Sequence, residues 1–243
     1  MMKVMKSLCA RVESAKDRRP VAIAFLGDSV THGCFEVYVN RQGNVDTRYR
    51  PDQGYPARLK RRLDLLYPAA AVSVINAGIS GDNAPGGLAR LERDVLSFRP
   101  DLVVVGFALN DCMNKAPDAL MTYRGAMGRI MDRVLESGAE CLILTPNFMN
   151  EYLDPALPQG VLRDIAQDTM RAQREGVLES YVRAAKEEAV RRGVPVADAY
   201  ARWQAMGKAG VDTTSLLANH INHPLPELHE LFAEEILRAM MEK

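Results

Sequence analysis

Short apolar runs without polar alternation recur along the chain and predict strands that are buried on both faces. The clearest runs are residues 21–26 and 101–106, and shorter runs lie at 71–75, 140–144 and 194–198. Continuous apolar strands are typical of a parallel sheet, because helices cover both faces of such a sheet. The pattern therefore predicts five parallel strands.

Between these runs, apolar residues recur three and four positions apart, which predicts helices. The predicted helices cover residues 4–16, 55–66, 84–98, 117–137, 165–192 and a C-terminal stretch from Pro224. Alternating strands and helices predict one three-layer α/β/α domain over residues 1–243, with residues 1–20 as an N-terminal helical extension.

Residues 34–52 interrupt this pattern with a polar stretch that contains Tyr38, Arg48 and Tyr49. A structureless connection of this length is usually functional or mobile. Because the stretch follows the first strand directly, we expect it to form the wall of a pocket.

Composition and charge narrow the class of protein. The chain has 243 residues, of which 47% are hydrophobic and 26% charged, enough for one sizeable core. Its 31 basic and 31 acidic residues give a net charge of zero. We therefore expect no nucleic-acid or membrane partner and a small or uncharged ligand.

The N-terminus has no apolar stretch long enough for a signal peptide, and no segment resembles a membrane span, so we expect a cytoplasmic protein. The four cysteines lack C-x-x-C spacing, which predicts neither a disulfide framework nor a zinc site. No cofactor is expected.

Candidate chemistry begins where the first strand ends, at Gly27-Asp28-Ser29. Reacting groups of open parallel sheets collect outside the carboxyl ends of the strands. Alone, this tripeptide also fits a turn in which Asp28 or Ser29 caps the next helix.

The next two strands also run into polar turns. Residues 76–83 contain Gly81, whose backbone N–H could meet a developing negative charge, and Asn110-Asp111 follows the third strand. The first turn also fits a phosphate loop or a plain tight turn, and Asn110 also fits a cap.

A histidine, His223, stands immediately before Pro224 near the C-terminus. The chain has only four histidines, and a proline beside one of them restricts its backbone. His223 is therefore a candidate general base.

Together these four stretches resemble the SGNH or GDSL-type hydrolase family over most of the chain. The resemblance implies a flavodoxin-like sheet with Ser29 as nucleophile and His223 as base. It also implies that Ser29, Gly81 and Asn110 donate hydrogen bonds to an oxyanion, and it suggests Asp28 and Asp111 as substrate-binding residues.

The chain departs from the family pattern at two positions. Ala108 stands where the third block usually has glycine, and we expect this change to perturb the loop slightly at most. His220 stands where the fifth block usually has aspartate, so it is only a doubtful member of the catalytic set. Either a carbonyl orients His223 in a Ser-His dyad, or an acid such as Asp212 enters from elsewhere.

The resemblance implies ester hydrolysis through an acyl-enzyme, and the polar 34–52 stretch favours short-acyl esters such as acetylated carbohydrates. Lipase or thioesterase activity on longer acyl groups stays open. So do a non-catalytic binding protein, a metal site at His220, His223 and His229, and a phosphate binder, although no phosphate-binding glycine pattern is present.

Overall fold

The computed structural model describes residues 1–16 and 18–242. Strands within these residues are β1 (Val21–Gly27), β2 (Cys34–Val39), β3 (Val45–Tyr49), β4 (Val72–Gly78), β5 (Leu102–Gly106), β6 (Glu140–Leu144) and β7 (Val196–Ala197). Helices are α1 (Lys3–Glu13), α2 (Ser29–His32), α3 (Tyr55–Leu66), α4 (Ala84–Asp94), α5 (Ala119–Glu136), α6 (Val161–Arg174), α7 (Val177–Arg192), α8 (Ala199–Lys208) and α9 (His229–Met241).

The central sheet has the order β4-β1-β5-β6-β7, and all of its strand pairs are parallel. The predicted five-stranded parallel sheet is therefore confirmed, with the strand order of flavodoxin-like folds. Every residue of β1 is buried, which explains the lack of polar alternation in residues 21–26. The sheet strand that follows β1 along the chain lies on one side of it and the later strands lie on the other, so the strand order reverses between β1 and β5. Ser29 therefore lies at the topological switch point where such sheets bind ligands.

Two helical layers cover this sheet. Helix α3 packs on α9, and α1 contacts both α9 and β1. Helix α5 packs between α4 and α7. The chain crosses from β1 outward to β4 and then back to β5, and right-handed crossovers place α3 and α4 on opposite faces.

Residues 34–52 are more ordered than expected, because they contain the antiparallel hairpin of β2 and β3. Its strands alternate only weakly and are partly exposed, since the hairpin packs beside the sheet rather than within it. Asn40 closes the turn by accepting hydrogen bonds from the N–H groups of Gln42 and Asn44, both at 3.0 Å.

Two predicted helices differ most from the observed ones. The stretch 165–192 is two helices, α6 and α7, because Gly176 adopts a left-handed conformation (φ +73°) between them. The last helix starts at His229 rather than at Pro224, because Pro224 pairs with Leu217 in an isolated β-bridge. Helix α8 was not predicted. Across residues 1–16 and 18–242, no helix combines the length and apolar character that a bilayer crossing requires.

Candidate active site

Ser29 is presented by the turn at the end of β1. Asp28 caps helix α2, since its Oδ1 accepts a hydrogen bond of 3.0 Å from the N–H of Val30. Ser29 is the first residue of that helix and is 5% exposed. The interpretation as a capping turn and the interpretation as a reactive serine are therefore compatible. Asp28 caps the helix, which leaves the Ser29 hydroxyl available for chemistry.

His223 lies against this hydroxyl. Its Nε2 is 2.8 Å from Ser29 Oγ, and its Nδ1 is 3.1 Å from the backbone oxygen of Phe35. A carbonyl oxygen only accepts, so Nδ1 carries the proton in the neutral ring. The unprotonated Nε2 is then free to accept the proton of Ser29.

Burial keeps this imidazole neutral. The pKa of His223 falls from its usual 6.5 to about 4, because removal from water disfavours the charged ring, while the Phe35 carbonyl opposes that shift. A neutral imidazole near pH 7 is the form that a general base requires.

Phe35 is itself tightly held at the start of β2. Its ring is fully buried, and the guanidinium carbon of Arg50 lies 4.9 Å from the ring centre. The ring of His229 packs against it at 4.9 Å. These contacts fix the peptide whose oxygen meets His223.

Neither His220, which stands at the usual aspartate position, nor the acid candidate Asp212 contacts His223. His220 has a left-handed backbone (φ +55°), and its Nδ1 lies 2.9 Å from Asp154 Oδ2. Asp212 accepts a hydrogen bond of 2.7 Å from the hydroxyl of Tyr152. Of the two sequence-based alternatives, the contacts of His223 match the carbonyl one.

The second and third turns meet beside Ser29 because β4 and β5 flank β1, with Gly27 in register with both Gly78 and Gly106. A Cβ on Gly78 would lie 2.3 Å from the N atom of His32, so only glycine lets helix α2 approach β4 this closely. The strand register thus brings the three turns together.

Gly81 adopts φ +79°, a left-handed conformation that favours glycine. Its N–H has no acceptor among residues 1–16 and 18–242. The Asn110 amide donates a hydrogen bond of 2.8 Å to the backbone oxygen of Asp82. One N–H of that amide is thereby fixed, which leaves the second available to a ligand.

Ala108 stands where the family pattern usually has glycine. Its φ is +154°, in a region that a residue with a Cβ rarely adopts. The backbone therefore keeps a conformation that suits glycine, and the loop carries the strain at Ala108.

Asp28 and Asp111 are only 4% and 6% exposed. Each uses one oxygen to accept a backbone N–H, from Val30 and Ala84 respectively. Burial raises the pKa of both carboxyls from 3.8 to about 7. The two acids thus organise the turns from within, and neither side chain faces open solvent.

Arg90 joins these turns from α4, a connection that the sequence analysis missed. Its Nη2 donates to the backbone oxygen of Gly27 at 3.0 Å, and its Nη1 donates to that of Ala77 at 2.6 Å. Its Nε pairs with Asp82 Oδ2 at 2.7 Å. One buried guanidinium therefore ties the ends of β1 and β4 to the residue after Gly81.

The 34–52 stretch forms a wall of a neighbouring cleft of about 670 Å³. Residues 36–39 of β2 line one side, and residues 156–162 and 218–220 line the other. The expectation of a pocket wall thus matches the placement of β2. In the described part of the chain, no three His, Cys, Asp or Glu side chains come together as a metal site would need.

The family comparison covers most of the chain. Residues 25–231 match the model of the GDSL-like lipase/acylhydrolase family, and the chain belongs to that family.

Two curated relatives carry esterase names. The chain is 30% identical over 111 residues to an arylesterase of Vibrio mimicus, a match that covers 42% of this chain and 54% of that protein. It is 33% identical over 89 residues to an acetylxylan esterase of Geobacillus stearothermophilus, covering 37% of this chain and 39% of that protein. The matched region is therefore about half of each relative or less.

Solved structures share the fold over almost the whole chain. A crystal structure of an acetylxylan esterase from Geobacillus stearothermophilus superposes with a TM-score of 0.67 at 21% identity, over 92% of this chain and 95% of that one. A lipase/acylhydrolase from Enterococcus faecalis gives 0.64 at 25% identity, over 90% and 94%. The predicted SGNH-type fold is confirmed.

Proposed function

We propose that the protein is a carboxylic ester hydrolase in which Ser29 is the nucleophile and His223 the general base. The observation that carries this proposal is the 2.8 Å contact between Ser29 Oγ and His223 Nε2, with Nδ1 held by a carbonyl. Geometry within hydrogen-bond reach and a neutral base are the two requirements for activating a serine hydroxyl.

In the first step, Ser29 Oγ attacks the ester carbonyl carbon while its proton moves to His223 Nε2. The carbonyl oxygen becomes an oxyanion, which the N–H groups of Ser29 and Gly81 and the free amide N–H of Asn110 stabilise. The tetrahedral intermediate then expels the alcohol, whose oxygen takes the proton from His223.

Water resolves the resulting acyl-enzyme. His223 takes a proton from water as the hydroxide attacks the acyl carbon, and the same three donors stabilise the second oxyanion. Breaking the acyl–Ser29 bond returns the proton to Oγ and releases the carboxylic acid. Loss of one oxyanion donor typically costs about 10²–10³ in kcat, which is the range we assign to Asn110.

The imidazolium formed in each step has no carboxylate beside it. The partial negative charge of the Phe35 oxygen, 3.1 Å from Nδ1, takes that place. We therefore infer a Ser-His dyad. Because a carbonyl is neutral, the Phe35 oxygen helps to orient the ring, but only dipoles stabilise the charge of the imidazolium.

For the substrate, we infer short-acyl esters, including acetylated carbohydrates. The cleft beside the site carries polar groups such as Glu36, Tyr38 and Gln159, which suit a hydroxyl-rich alcohol. Acetylxylan esterase is the name both of a relative that is similar in sequence over 89 residues and of a solved structure that is similar in fold. Lipase or thioesterase activity on long acyl groups is the second candidate, because the family that the chain belongs to is described as lipases and acylhydrolases.

The first experiment measures hydrolysis of p-nitrophenyl acetate by the wild type, Ser29→Ala and a control, Ser97→Ala. Ser97 is exposed, and its hydroxyl donates a hydrogen bond to the backbone oxygen of Arg93. Intact mass is recorded after treatment with a fluorophosphonate. We expect turnover and a single adduct in the wild type and the control, and neither in Ser29→Ala. A wild type that neither turns over nor labels would favour a non-catalytic binding protein.

A second assay compares esters of increasing acyl length. A short-acyl enzyme should have its highest kcat/KM on acetyl or butyryl esters and release acetate from acetylated xylo-oligosaccharides. A maximum at long acyl chains would exclude the short-acyl proposal while leaving the role of Ser29 intact.

A further inference from the structure

The orientation of His223 has to come from somewhere other than an acid. Its Nδ1 meets a neutral oxygen at 3.1 Å, a weaker restraint than a charged partner would give. The backbone that carries the ring must therefore also help to determine where Nε2 points.

That backbone is organised by one side chain, Asn219. Its Oδ1 accepts hydrogen bonds from three successive N–H groups, those of Ile221 at 3.0 Å, Asn222 at 2.9 Å and His223 at 2.9 Å. Its Nδ2 donates to the Asn222 side-chain oxygen at 3.0 Å. Asn219 is 5% exposed, so little water can replace these bonds.

Other contacts hold the ends of the same segment. The N–H of Ala218 donates to the backbone oxygen of His223 at 2.7 Å, and Asn147 donates to that of Asn222 at 2.8 Å. The N–H of Asn150 donates to the oxygen of Ile221 at 2.8 Å. These bonds fix carbonyl groups, whereas Asn219 gathers the N–H groups, including that of His223 itself.

We propose that Asn219 is the positioning residue for His223 and that it compensates for the missing acid at position 220. This inference rests on the proposed ester hydrolysis through Ser29 and His223. Without the Asn219 oxygen, three N–H groups, of which those of Ile221 and His223 are buried, lose their acceptor and the segment 219–223 relaxes. A misplacement of about 1 Å between nucleophile and base can cost about 10²-fold in rate.

The effect should fall on the chemical step. Asn219 is one of the residues that line the neighbouring cleft, but it is only 5% exposed and both ends of its side-chain amide are already hydrogen-bonded. The KM for a substrate as small as p-nitrophenyl acetate should therefore change little when the side chain is altered. A purely structural residue would instead lower stability and leave the kcat of the folded fraction unchanged.

The test compares Asn219→Ala, Asn219→Asp and Asn219→Ser with Asn114→Ala. Aspartate keeps an oxygen that accepts all three N–H groups, and serine keeps a weaker acceptor. Asn114 is the matched control, because its Oδ1 also accepts a backbone N–H, that of Ala116 at 3.0 Å, in an exposed turn outside the proposed site. Steady-state kinetics on p-nitrophenyl acetate are measured on protein whose folded fraction is known from thermal unfolding.

For Asn219→Ala we expect kcat to fall about 10–100-fold with KM within about twofold of the wild type. Asn219→Asp should recover to within about threefold, Asn219→Ser should be intermediate, and Asn114→Ala should match the wild type. If Asn219→Ala does not fold, the order of the aspartate and serine variants carries the test.

Two results overturn the inference while the proposed function stands: kcat of folded Asn219→Ala within about twofold of the wild type, or aspartate no better than serine or alanine. The proposed function fails separately. In that case Ser29→Ala keeps wild-type turnover in the same assay, whatever the Asn219 variants do.

Discussion

At the scale of single residues, burial and one carbonyl determine the charge state and the tautomer of the proposed base. Burial lowers the pKa of His223 to about 4, and the Phe35 oxygen selects the tautomer with the proton on Nδ1. An aspartate partner would raise the pKa of the ring, whereas a carbonyl does so only weakly. A dyad of this kind should therefore work over an unusually acidic range.

The first prediction is a pH profile. His223 must be neutral to act, and protonation removes activity only as pH falls through its pKa. We expect kcat/KM on p-nitrophenyl acetate to stay level from about pH 8 to about pH 5 and to fall near pH 4.

Refolding by a jump back to pH 7 before assay separates protonation from acid unfolding. A reversible loss of activity centred near pH 6.5 would contradict the prediction, because it would mean that the His223 imidazole is not removed from water as the structure shows.

The sequence indicated the proposed catalytic residues but not the particular groups that hold them. Ser29, Gly81, Asn110 and His223 are candidates from the sequence because they are side chains or glycines at strand ends and turns. The Phe35 oxygen could not be found in this way, because every residue has a backbone carbonyl and this one is 188 positions from His223. Asn219 was visible as part of the histidine stretch, but an asparagine there signals only a turn.

At the scale of elements, the site depends on three strand ends staying in register. Arg90 contributes to this from α4, since its side chain is 8% exposed and reaches Gly27, Ala77 and Asp82. The planar guanidinium suits three acceptors in different directions, which the ammonium of lysine would not match.

The second prediction concerns this arginine. Arg90→Ala leaves two carbonyl groups and the Asp82 carboxylate without their partner, so we expect a loss of about 3 kcal/mol in the free energy of unfolding. Urea unfolding measures this directly.

Arg93→Ala is the control, because its side chain is 74% exposed and pairs with Asp94 at the surface. It should change stability by less than about 0.5 kcal/mol. Similar losses in both variants would contradict the role given to Arg90.

Elements with strong periodicity were predicted well, and those defined by tertiary contacts were not. The five buried strands follow from unbroken apolar runs. The hairpin of β2 and β3 was not predicted, because its residues are partly exposed and show no clear alternation of apolar and polar side chains. The break between α6 and α7 depends on the left-handed Gly176, which the apolar spacing across 165–192 conceals.

At the scale of the whole molecule, the site lowers stability in a pH-dependent way. Asp28 is buried in the folded chain with a pKa of about 7, against 3.8 for an ordinary aspartate. Between these values the folded state holds a proton that the unfolded state has lost. The contribution of Asp28 is therefore fully present below about pH 4 and is lost as pH rises through about 7.

The third prediction follows from that sign. Asp28→Asn keeps an oxygen for the Val30 N–H and has no charge to bury. Its free energy of unfolding relative to the wild type should rise by about 2 kcal/mol between pH 5 and pH 8.

Urea unfolding at both pH values gives this difference. Asp64→Asn, where a surface carboxylate pairs with Lys60, controls for the loss of one negative charge. A difference between Asp28→Asn and the wild type that is the same at pH 5 and pH 8 would contradict the burial cost.

The hairpin of β2 and β3 has a consequence for redesign of the protein. Phe35 is the second residue of β2, and the next four residues of the same strand line the cleft. Loop exchange is a common way to change what an enzyme accepts, but here a graft that replaces all of β2 would also replace the peptide that orients His223. Grafts should therefore begin after Phe35 and retain Arg50, which makes residues 36–49 the exchangeable unit.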